Sequence, residues 1–109
     1  MAVNGTLKHL PMLRNAVLQC VADLIEQQGW SARGSRPQLC ITQAMAAVTG
    51  HDDATELGSI PDQVSNEAFR AILRQIGGEY LGAIFDWEGE EGRTQEEVVA
   101  MLRATATWH

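Results

Sequence analysis

Few of the 109 side chains could carry covalent chemistry, and their spacing argues against most of it. His51-Asp52-Asp53 sets one imidazole beside two carboxylates, the types that bind a metal or relay a proton. Adjacent loop residues seldom converge on one ion, however, and no HxxxH or HExxH spacing supports them. They read as a polar loop after a helix end, with His51 answering the negative helix terminus. His9 falls at the entry to the first helix and His109 ends the sequence. Cys20 and Cys40 have neither a CxxC spacing nor a neighbouring His or Lys, so they are expected as buried free thiols; the alternative is a bridge tying the first two helices. Gly77-Gly78 lacks the Lys and hydroxyl of a phosphate-binding loop, and the acids around Gly89 and Gly92 repel phosphate. No catalytic residue, metal site or cofactor is therefore expected.

Residues 86–97 offer one further site. Asp86, Glu88, Glu90, Gly92, Thr94 and Glu97 match the ligand positions of a twelve-residue calcium loop, but Glu91 stands where the sharp turn needs Gly and Arg93 where an apolar residue belongs. The same stretch holds most of the charge. Residues 1–50 carry four bases against two acids, whereas the remainder carries four against twelve, six of them within 86–97 and facing only Arg93. Glu96 and Glu97 suit a helix start; Glu88, Glu90 and Glu91 must sit in water or meet something positive. The plain reading is a solvated turn that favours solubility. The sharper one is an acidic knob for a protein with a basic surface, with Trp87 as apolar anchor and Glu88, Glu90, Glu91 and Arg93 beside it. With a pI near 4.9, nucleic acid is an improbable partner, and Arg33 and Arg36 read as solvated turn residues.

Helices must position these groups. Fourteen alanines and only six aromatic residues imply a core of Leu, Val, Ile and Met on closely approaching helices. In residues 12–28, Leu13, Val17, Val21, Leu24 and Ile25 recur at helical spacing with Cys20 joining them and Arg14 opposite; Gly29 stops the helix and Trp30 folds back. Residues 31–37 read as a loop, 38–49 as a second helix ending at Gly50, and 51–62 as a polar connector. A third helix is expected after an N-cap at Ser65, with Val64 and Phe69 as hydrophobic staple, ending at Gly77 and Gly78. Tyr80, Leu81, Ile84, Phe85 and Trp87 suggest a short fourth helix. Thr94 and Glu97 form a capping box for a last one reaching Thr105. The expectation is an all-α single domain, a compact bundle of four to five short helices. A helix-turn-helix is opposed by the long connector and the acidic balance. No apolar run exceeds five residues and no signal sequence is visible, so no membrane span and a cytoplasmic protein are expected.

Trp87, the block Gly92-Arg93-Thr94-Gln95-Glu96-Glu97-Val98, Leu102-Arg103-Ala104, the end of the first helix through Trp30, and residues 40–47 together resemble a family of small uncharacterised bacterial and phage proteins, a domain of unknown function. Where that pattern follows the Trp with Asn-Asp, this chain has Glu88 and Gly89, and an insertion after Trp30 shrinks to residues 31–37. The resemblance implies no known reaction; its phage association implies an accessory or inhibitory role. The resulting expectation is a non-enzymatic protein–protein interaction module. The alternative is a small-molecule-binding or biosynthetic accessory protein with an apolar pocket near Tyr80, Trp87 and Trp30. A homodimer sharing Tyr80 and Phe85 is a further expectation.

Overall fold

Periodicity, proline and glycine set the helix ends in a computed structural model that describes residues 10–35, 37–50, 60–80 and 82–107. Among these residues there are five helices and no named strand, so the fold is all-α as expected. They are α1 (Leu10–Gln28), α2 (Ile41–Thr49), α3 (Ile60–Ile76), α4 (Gly82–Glu88) and α5 (Gln95–Thr105). None is long and apolar enough to cross a membrane. His9, Arg36, the His51-Asp52-Asp53 group and His109 lie outside the described residues.

The longest helix is the hub. α1 packs against α2, α3 and α5, while α3 also touches α2, α4 and α5. Leu18, Val21, Ala22 and Ile25 of α1 meet Ile41 and Met45 of α2, Ile72 of α3, Ile84 of α4 and Leu102 of α5 in one core. Ala22, Ala44, Ala68 and Ala71 are buried within it, which lets neighbouring backbones approach closely.

The α1 stripe is rotated from the expected one. It runs through Arg14, Leu18, Val21, Ala22 and Ile25, leaving Cys20 and Leu13 exposed. Arg14, expected outside, is buried because Glu67 of α3 lies 3.7 Å from its guanidinium. Cys20 and Cys40 are both free, so there is no bridge; Cys40 is buried as expected and Cys20 is not.

Two helix starts also differ. α2 begins at Ile41 instead of residue 38, because Leu39 pairs with Trp30 in an isolated parallel bridge that closes the loop between α1 and α2. α3 begins at Ile60, five residues before Ser65, with Pro61 in its first turn, where a missing amide hydrogen costs nothing. Ser65 is therefore a buried mid-helix residue whose Oγ donates to Thr49 Oγ1 at 3.3 Å, and Val64 is buried inside the helix and not a staple ahead of it. The α3 end is as expected. Gly77 takes φ 75°, and the Gly78 amide reaches back to the Leu73 carbonyl at 2.9 Å in a Schellman turn.

Candidate functional site

The end of α1, the start of α2, the end of α4 and the start of α5 converge on Trp30 and Glu88. α4 carries Ile84 and Glu88 on one stripe, one turn apart, and both are buried. Glu88 retains only 1% of its surface and points into the molecule. Its Oε2 accepts from the Trp30 indole Nε1 at 2.8 Å and from the Ile41 backbone amide at 3.0 Å. Ile41 is the first residue of α2, so Glu88 fills one of that helix's four unpaired N–H positions and places a carboxylate at its positive end. The other oxygen, Oε1, is buried with no hydrogen-bond partner among the described residues. Burial holds the Glu88 carboxyl above its ordinary value, and the two N–H donors pull it partly back.

Trp30 is gripped a second time. Its backbone amide donates to Gln95 Oε1 at 3.0 Å, joining the first loop to the start of α5. Its ring packs against the core, so the expected fold-back after Gly29 occurs, with a polar handle that the apolar reading missed.

The turn between α4 and α5 folds over its own arginine. Gly92 takes φ 85°, a left-handed conformation open to Gly, and Arg93 turns inward. The Arg93 guanidinium lies 3.7 Å from the Trp87 ring centroid and its Nε donates to the Trp87 carbonyl at 2.9 Å. It also pairs with Glu90 and, at 3.2 Å, with Glu97. Thr94 and Glu97 form the expected capping box: Glu97 N donates to Thr94 Oγ1 at 3.2 Å, and Thr94 N donates to Glu97 Oε1 at 3.0 Å.

These positions sort the five residues expected to meet a partner. Glu90 and Glu91 are exposed, Trp87 is half-buried under Arg93, and Arg93 is spent on contacts inside the turn. Glu88 is not on the surface at all: one α-helical turn from Ile84, it is carried to the inner face and bonded there to two neutral N–H groups. Glu91 and Glu96 have no bonded partner among the described residues and stand in solvent. The calcium-loop register fails for the same reason, since residues 86–88 are helical, Glu88 faces inward and Asp86 accepts from the Tyr80 hydroxyl at 2.7 Å. Among the described residues no group of three His, Cys, Asp or Glu side chains is set to hold a metal ion.

Periodicity missed Trp30 and Ile41 as partners of Glu88, and Gln95 as a partner of Trp30, although stepping four residues from Ile84 reaches Glu88 directly. Tyr80 lines a cavity of about 420 Å³ with Asn66, Phe69, Arg70, Leu73 and Glu79, and neither tryptophan borders it. Tyr80 and Phe85 are both largely exposed.

A family described as "Family of unknown function (DUF6197)" has a model that matches residues 11–107. No curated protein and no solved structure matches the chain.

Proposed function

The chain belongs to that family of unknown function, and from this premise we propose that it is a non-enzymatic protein–protein interaction module that docks a basic protein surface. Within this reading it is an accessory or inhibitor protein of phage or mobile-element origin, the role implied by the resemblance of its C-terminal block. The observation that supports docking is the division of labour in residues 87–97. Arg93 offsets Glu90 and Glu97, Glu88 is withdrawn into the core, and Glu91 and Glu96 are left exposed with no bonded partner among the described residues. Carboxylates held on a rigid turn steer a cationic partner and set its register, and their effect weakens with salt.

Affinity capture with the wild-type chain and with the double variant Glu91→Lys/Glu96→Lys tests this. A partner is expected to be retained at low ionic strength, released at high salt and lost from the variant, whose helical circular dichroism stays unchanged. Equal capture by both forms overturns the reading.

One observation favours a second reading, binding of a small apolar molecule. The cavity beside Tyr80 has a volume within the range of ligand sites and an apolar side formed by Phe69, Leu73 and Tyr80, facing the polar Asn66, Arg70 and Glu79. Binding there is expected to survive the Glu91 and Glu96 reversals and to fail in Tyr80→Ala.

A further inference from the structure

α5 shows how a cation seats itself against the acidic ridge of α1. Its Arg103 reaches Gln19 Oε1 at 2.6 Å and Asp23 Oδ1 at 2.8 Å, and pairs with Glu26 through the same guanidinium. One turn nearer the start of α5, the same two helices border a groove of about 330 Å³ lined by Glu26, Gln95, Glu96, Val99 and Ala100. Val99 and Ala100 give it an apolar floor, and Glu26 and Glu96 stand as carboxylates at its rim. Among the described residues no cationic side chain lines it, and Arg103 reaches Glu26 from the next turn of α5. This is the chemistry that a lysine or arginine requires, an apolar track for the methylene stem with anions at its end.

We propose that this groove receives one lysine or arginine side chain of the protein partner, its stem on Val99 and Ala100 and its charge against Glu96, next to a Glu26 that Arg103 already pairs. The inference rests on the docking reading above and deepens it, adding a stem-length preference that an acidic surface alone does not have. Gln95 fixes the groove relative to the rest of the molecule, because its Oε1 already holds the Trp30 amide. Ala100 is exposed, so a long side chain introduced there lies along the floor without entering the core. An ammonium at position 100 also sits four residues after Glu96, the favourable order for an intrahelical pair, and so acts as a built-in competitor.

The test is a titration of the isotope-labelled full chain with a hexalysine peptide, and with a peptide of six 2,3-diaminopropionic acids, which carries cationic side chains on a much shorter stem. Backbone amide shifts are followed by NMR. Hexalysine is expected to move the amides of Glu26, Gln95, Glu96, Val99 and Ala100, and the short-stemmed peptide to bind more weakly. Ala100→Lys is expected to weaken hexalysine binding by roughly three- to tenfold, the range of one partly exposed ion pair with its packing, while Glu91→Gln changes it less than twofold. Shifts centred on Glu90 and Glu91, equal for both peptides and indifferent to Ala100→Lys, overturn the groove and leave the acidic surface standing. No shift with either peptide overturns both.

Discussion

Two helix N-termini meet around Trp30, and only one of them adds a partner from a distant part of the chain to its local cap. α5 is capped by its own neighbours, Thr94 and Glu97, on an exposed turn. α2 begins at Ile41 behind Cys40 as N-cap; Gln43 Oε1 accepts from the Cys40 amide at 3.2 Å, and the first helical amide, that of Ile41, is taken by Glu88, 47 residues further along the chain and buried. The first cap orders a few residues and is exposed to water, which can replace it. The second fastens α4 to α2 and, through the indole of Trp30, to the end of α1. The contrast teaches that a carboxylate's worth here follows from the number of elements it joins and the water it excludes. Local charge density says little about it.

Breaking each cap measures that difference, and the buried one comes first. Glu88→Ala strips the acceptor from two N–H groups that water reaches poorly and leaves a void beside Ile84. The expected loss is about 2–4 kcal/mol, a large share of the roughly 5–15 kcal/mol that holds a domain folded. Urea unfolding followed by tryptophan fluorescence measures it, and a loss below about 1 kcal/mol contradicts the buried-cap account. Thr94→Ala removes one acceptor at an exposed turn, where water takes its place. About 1 kcal/mol is expected in the same assay, and a loss equal to that of Glu88→Ala erases the contrast.

The same contrast explains what was legible beforehand. The Thr94 and Glu97 box, the Gly29 stop and the Gly77-Gly78 end depend on residues within one turn of each other, and each stands in the structure where local spacing puts it. Arg14, Ser65 and Glu88 were misplaced for the opposite reason. Each is a polar residue made acceptable inside by a partner distant in sequence, Glu67 for Arg14, Thr49 for Ser65, and Trp30 with Ile41 for Glu88. Polarity alone puts such residues in water, and only the packing of α3 and α4 against the other helices reverses that. The end of the 51–62 connector differs for another reason, since Pro61 serves as well at a helix start as in a connector. Of the proposed site, the exposed acids were visible in composition, while the groove needed the α1–α5 pairing.

Replacing the carboxyl of Glu88 by an amide sharpens the comparison further, because Gln keeps an acceptor for Trp30 and Ile41 but cannot ionise. Neither of the two groups bonded to Glu88 titrates, so burial dominates and the folded chain holds the Glu88 proton above the ordinary value of 4.5. The folded state thus binds more protons than the unfolded one between that value and the raised one. The stability Glu88 contributes is fully present below about pH 4.5 and is lost as the pH rises through its folded-state value. Glu88→Gln lacks this dependence. The amide nitrogen that occupies the unpartnered Oε1 position carries a fixed penalty, which offsets the curve without tilting it. Every other titrating group is common to both chains, so the difference in unfolding free energy, wild type minus Gln, is expected to fall as the pH is raised from 4 to 8. The effect is the smallest of the three and the most specific to a buried carboxyl. A difference that stays flat across that range, or rises, shows that Glu88 is hydrated enough to ionise freely, and the distinction between the two helix caps then reduces to geometry alone.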